Sequence, residues 1–179
     1  MSEEKKEPWL NYLALTTVIL AVCAALSTFK GGSYSTRSVL SQSMASDQWA
    51  FYQAKSLKSY LYEIQKEEME CDLKAKDVSM PETGVEALKT RIDSYGQRIA
   101  KYDAEKAEIM KQAKALEDLR DDAQRHQSSF GMAVIFLQIA ILLSSIAALL
   151  KKKPVWYLGL VVGVGGIVYF ADGFLKFLN

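Results

Sequence analysis

The sequence predicts an all-α fold: three transmembrane helices plus a long antiparallel coiled-coil helical hairpin between the first and second spans. Three observations carry this expectation. Charge is segregated, with 16 of the 22 Lys and Arg and 17 of the 21 Asp and Glu lying between Lys30 and Arg125. Three stretches outside that block are almost free of charge. Within the block the apolar residues recur at alternating steps of three and four. The mean hydropathy of -0.01 and net charge of +1 therefore average over two unlike parts. Such a chain is not a simple soluble globule, a disordered polymer or a basic nucleic-acid binder.

After a short tail (1–8), the first uncharged run covers 9–29, enough for a helix to cross a hydrocarbon core of about 30 Å. A cleaved signal peptide starting at Lys5 and Lys6 is the alternative, but the run exceeds the roughly 7–15 apolar residues usual there. A lipoprotein site at Cys23 would need a small residue before it, where Val22 stands. The second span is expected at 130–150, followed by a basic turn at 151–154 and the third span at 155–177. Trp9, Tyr12, Trp156, Tyr157 and Tyr169 fall near the run ends, where amphipathic rings prefer to sit. Lys151, Lys152 and Lys153 are the strongest orienting signal. Kept in the cytoplasm, they place the N-terminus inside and the charged block outside, whereas Lys30, Arg37, Arg120 and Arg125 argue weakly the other way.

The extramembrane block (30–129) carries two heptad stripes. One runs Ala50, Ala54, Leu57, Leu61, Ile64, Glu68, Cys71, Ala75, Val78. The other runs Val85, Leu88, Ile92, Tyr95, Ile99, Tyr102, Lys106, Ile109, Ala113, Leu116. These are seams of the kind that hold coiled coils. Pro81 and Gly84 mark a turn near 79–84, with Ser79 or Thr83 as candidate caps and Thr83 with Glu86 fitting a capping box. Folding there sets Leu61 beside Tyr102, Ile64 beside Ile99, Val78 beside Val85, Glu68 beside Tyr95 and Lys106 near Leu57. Leu57, Leu61, Ile64, Ile92, Ile99 and Ile109 are thus expected to hold the hairpin. At about 1.5 Å per residue each arm could extend roughly 60 Å.

Two helices bury one narrow seam, so a hairpin of this length is expected to pack against copies of itself or a partner. Trp49 and Tyr52 are the expected contact residues, since aromatics anchor interface cores; packing within the hairpin is the alternative. In the third span Gly159 and Gly163, continued by Gly166 and Gly173, form a face that lets membrane helices approach closely, either between copies or within the chain. Gln138, Ser144 and Ser145 are polar groups of the second span with the same potential.

The residues offer little chemistry. His126 is the only histidine, so neither a metal set nor a nucleophile–base pair is expected. Cys23 and Cys71 are too differently placed to form an internal disulfide. Gly163-Val164-Gly165-Gly166 lacks the lysine and preceding strand of a phosphate loop. Glu67, Glu68, Glu70 and Asp72 interleave with lysines as a solvated face. Asp172, an acid within a span, marks either an ion path or an ion pair with Lys176 one turn on. No catalytic residue, cofactor, metal, nucleic acid or small-molecule substrate is expected; the partners are the lipid bilayer and either further copies or a larger membrane complex.

The run Met44-Ala45-Ser46-Asp47-Gln48-Trp49-Ala50-Phe51-Tyr52-Gln53-Ala54-Lys55-Ser56-Leu57-Lys58 resembles a block of a bacterial family, domain of unknown function 4337. The order of one span, that block, a charged helical stretch and two closing spans is similar over nearly the whole chain. The resemblance implies a bacterial inner-membrane protein and brings no activity, cofactor or catalytic residue. A non-enzymatic oligomeric scaffold or accessory subunit is the expected function, with an oligomeric channel or transport accessory as the alternative.

Overall fold

A computed structural model describes residues 8–75 and 81–177. It contains α1 (Pro8–Lys74), α2 (Glu82–Leu150) and α3 (Lys153–Leu175), with no strand among the described residues. The first span and the segment after it are one helix, as are the segment before the second span and that span itself. No proline interrupts either helix, and Gly31 and Gly32 each cost only about 1 kcal/mol relative to alanine.

The helix ends follow local chemistry. Pro8 opens α1, where a missing N–H costs nothing. The carbonyl of Pro81 accepts from Gly84 N–H (2.8 Å) and Val85 N–H (3.3 Å), so α2 begins at Glu82. This differs from the capping box expected at Thr83: Thr83 and Gly84 are already helical, and Ser79 and Val78 lie outside the described residues. α2 stops at a left-handed Lys151 (φ 51°), with Lys152 N–H bonded to Ala147 O at 3.2 Å. That bond closes the turn as in a Schellman motif. Lys152 is extended and Pro154 sits in the first turn of α3.

The chain divides into two units. One comprises 1–40 with 119–179, the other 41–118. In the first, all three helices are long and apolar enough to cross a membrane. Leu20, Ala24, Ala133, Leu137 and Ala140 form one buried cluster, and Trp9, Leu13, Ala147 and Trp156 another. Trp156 Nε1 donates to Thr16 Oγ1 at 3.3 Å. Close approach depends on small residues: a Cβ at Gly166 would lie 2.7 Å from Leu137 Cγ, and one at Gly163 would lie 3.1 Å from Leu20 Cδ2. Leu15, Val18, Val22, Leu142 and Val161 point outward.

The second unit packs the 41–75 part of α1 along α2. Trp49 Nε1 donates to Glu117 (2.8 Å), Lys55 pairs with Glu105 (2.6 Å), and Arg98 donates to the Tyr62 hydroxyl (2.8 Å). Tyr62 also meets the rings of Tyr95 and Tyr102, centroids 5.2 and 5.9 Å away. As α1 advances from Trp49 to Tyr62, its partners on α2 recede from Glu117 to Arg98.

These contacts correct the expected seam on α1. Leu57, Leu61 and Ile64 are 62%, 54% and 62% exposed. The face toward α2 instead carries Ala45, Tyr52, Lys55, Ser59 and Tyr62, about half a turn around the helix at 100° per residue. Both stripes have heptad spacing, and periodicity alone does not say which one meets the partner. The inner face has polar and aromatic groups that find complements on α2, and those groups are costly to bury without them. On α2, Ile109 is buried while Ile92 and Ile99 are half-buried. Tyr102 meets Tyr62 where Leu61 was expected, and Lys106 pairs with Asp103 at 2.7 Å beside the Tyr60 ring. Tyr95 contacts Tyr62 and Arg91, while Glu68 is exposed.

Candidate functional site

The densest arrangement of titratable groups in the first unit lies where the end of α3 meets α2. Ser129 and Asp172 stand almost equally far in sequence from Lys151, so the turn there brings them together. Ser129 Oγ donates to Asp172 Oδ2 at 2.6 Å, and Asp172 is only 1% exposed. One turn toward the start of α2, His126 Nδ1 lies 2.7 Å from Gly173 O. A carbonyl can only accept, so Nδ1 carries the proton. His126 Nε2 then faces Asp122 Oδ2 at 3.8 Å. Positions 122, 126 and 129 recur at four and three, which sets them on one face of α2.

Aromatic rings enclose the cluster. Tyr34 of α1 stacks on His126 at 4.4 Å between centroids and on Phe130 at 6.0 Å. Phe130 is fully buried and meets Phe174 edge-on at 5.0 Å. Gly173 makes this possible, because a Cβ there would stand 2.7 Å from the Phe130 ring.

Lys176 binds a different acid from the one expected. Its ammonium contacts Asp122, and its backbone N–H donates to the Asp172 carbonyl at 2.8 Å. The reason is geometric: Lys176 takes a left-handed conformation (φ 51°) that closes α3. Asp122 on α2 receives the ammonium, while the Asp172 carboxylate turns toward Ser129. The Lys176 hydrogen bond, with charge from Lys176, His126 and Arg37, holds the Asp122 carboxyl below its ordinary value of 3.8. Sequence reasoning passed over Asp122 and Ser129. Their signal was the shared face with His126 combined with the register fixed by Lys151.

The remaining expected site residues also find internal partners. Trp49 is bound to Glu117 and stacks edge-on against Tyr52, both half-buried against α2. These residues do not form the outward contact face expected of them. Gly159, Gly163 and Gly166 are buried within the chain, against Leu143, Leu20 and Leu137 among others. Their close contacts are already taken by neighbouring helices of the same chain. Ser144 is buried and bonded to Ala140 O at 2.9 Å, while Ser145 bonds Ile141 O. Gln138 is exposed on the apolar part of α2. Among the described residues no three His, Cys, Asp or Glu stand together as a metal site.

Three apolar helices of spanning length, packed through glycines, with an acid buried among them, are consistent with a multi-pass helical membrane protein. The chain belongs to the family described as Domain of unknown function (DUF4337), whose model matches residues 9–176. No curated protein and no solved structure matches it.

Proposed function

We propose that the protein is a non-enzymatic membrane scaffold or accessory subunit. The three spanning helices anchor it, and the 41–118 unit is an antiparallel coiled-coil hairpin that assembles with further copies or within a larger membrane complex. One observation carries this reading. Among the described residues, the large exposed apolar side chains of that unit (Met44, Phe51, Leu57, Tyr60, Leu61 and Ile64) all lie on α1. An apolar row on one helix of a charged unit marks a surface to be covered. The setting is the bacterial inner membrane, with the N-terminus cytoplasmic and the hairpin periplasmic.

Gentle extraction from the native membrane into nanodiscs, followed by mass measurement, tests the reading. A species heavier than the monomer is expected, and a bare monomer at micromolar concentration overturns it. Cys71 is exposed and Cys23 lies in the first span, so a membrane-impermeant maleimide applied to intact cells reports orientation. Labelling at Cys71 is expected for a periplasmic hairpin, and protection until lysis reverses the assignment.

An oligomeric channel or transport accessory is favoured by one observation, the buried Asp172 carboxylate bonded to Ser129. That reading expects ion or proton flux through reconstituted protein that Asp172→Asn alters. Absence of flux in both forms removes it.

A further inference from the structure

We infer that the outer face of α1 between Ala50 and Ile64 is a parallel, in-register interface with α1 of a second copy of this chain. The inference rests on the membrane-scaffold reading and adds to it the surface, the occupant and the geometry.

The face is a heptad seam without a partner in the chain. Ala50, Ala54, Leu57, Leu61 and Ile64 are all exposed and follow steps of four, three, four and three. In coiled-coil terms Ala54 and Leu61 occupy a positions, and Ala50, Leu57 and Ile64 occupy d. The opposite side of the same helix is committed to α2 through Trp49, Lys55 and Tyr62. α1 therefore carries two seams, only one of them filled.

Three arguments select a second copy as the occupant. First, membrane-anchored copies enter the stripe from the same bilayer and in the same chain direction. A twofold relation then sets each stripe residue against its own equivalent, an isologous contact that self-complementary apolar residues satisfy. Second, the flanking residues suit that register. In a parallel pair each g position faces the e position five residues on, so Gln53 meets Lys58 and Tyr60 meets Gln65, with no like charges opposed. Third, the charges define where the seam stops. Glu68 falls at the next a position and would meet its own copy, while Glu67 would face Asp72. Like charges so placed repel, which confines the contact to 50–64. A seam of two heptads is weak between free helices, but confinement to a bilayer raises the effective concentration of the partner.

Gln138 provides an independent sign of a neighbour at membrane depth. It is exposed on the apolar part of α2 and has no side-chain partner among the described residues. A glutamine in that position bonds readily to a polar group on another helix.

The test uses full-length protein in nanodiscs. Wild type is expected as a dimer or a multiple of it, and Leu57→Asp/Leu61→Asp as a monomer at the same micromolar concentration. Both side chains are exposed in the chain, so helical content and melting of the monomer should not change. Glu68→Leu should lengthen the seam and tighten association at least tenfold. Single-cysteine Leu57→Cys, made in a Cys23→Ser/Cys71→Ser background, should cross-link to itself under oxidation, while Thr90→Cys on α2 should not. An oligomer that survives Leu57→Asp/Leu61→Asp, or a Leu57→Cys form that does not cross-link, overturns this interface while leaving the scaffold reading in place. A monomeric wild type with a partner protein bound overturns the second copy alone; a bare monomer overturns both.

Discussion

Ser129 on α2 donates a 2.6 Å hydrogen bond to the carboxylate of Asp172 on α3, both almost wholly removed from solvent. A carboxylate so placed is tolerable only while its oxygens are satisfied. Ser129→Ala should lower stability by about 1.5–3 kcal/mol, the range for a bond to a charged group. Asp172→Asn keeps an oxygen that accepts from Ser129 and should cost less. Thermal melts in detergent, followed by far-UV circular dichroism, would rank the two.

The glycines give a matched pair. A Cβ at Gly173 would press into the Phe130 ring, whereas one at Gly32 meets nothing within 4 Å. Gly173→Ala should destabilise by about 1–3 kcal/mol through overpacking. Gly32→Ala should stabilise by up to about 1 kcal/mol through helix propensity alone. Opposite shifts in melting temperature are the expected result.

Acid should loosen the end of α3. The Asp122 carboxyl is held below its ordinary value of 3.8, chiefly by the Lys176 hydrogen bond. A depressed carboxylate contributes stability that is present above its unfolded value and lost as pH falls through the folded one. Wild type should therefore exceed Asp122→Asn in stability at neutral pH, with the gap closing below about pH 4. Asp122 is 46% exposed in its side chain, so solvent screening reduces the gap well below that of a buried pair. A wild-type advantage that persists unchanged in acid would contradict the assignment.

In the 41–118 unit, burial rather than residue type should decide the cost of truncation. Ile109 is 6% exposed and Leu57 is 62% exposed. Ile109→Ala should cost about 2–5 kcal/mol. Leu57→Ala, measured under dilute monomeric conditions, should stay within about 0.5 kcal/mol. Urea titrations of both variants would separate them.

Much of this architecture is visible in the order of residues. The three apolar runs locate helices of spanning length because a bilayer imposes one length on any helix that crosses it. The stripe on α2 from Val85 to Leu116 tracks the half-buried and buried face of that helix. On α1 the same reasoning picked the outward stripe, because hydrophobic period reports that a face exists and not what lies opposite. Lys55 and Tyr62 look like surface residues until Glu105 and Arg98 are seen across from them. At the α3 end the acid was evident and its partners were not. Asp122 and Ser129 become neighbours of that end only once the left-handed Lys151 has set the register. The glycines of the third span are legible as a face for close approach, but spacing does not say that Leu20, Leu137 and Leu143 of the same chain fill it.

Phe130 touches all three helices. Its Cβ would lie 3.3 Å from a side chain placed at Gly31, its ring would collide with one at Gly173, and Tyr34 and Phe174 pack against its faces and edge. Positions 130 and 173 thus share a single fixed volume, although they stand on different helices. Among family members a larger residue at 173 should appear only beside a smaller one at 130, so the two columns should drift together and not one at a time.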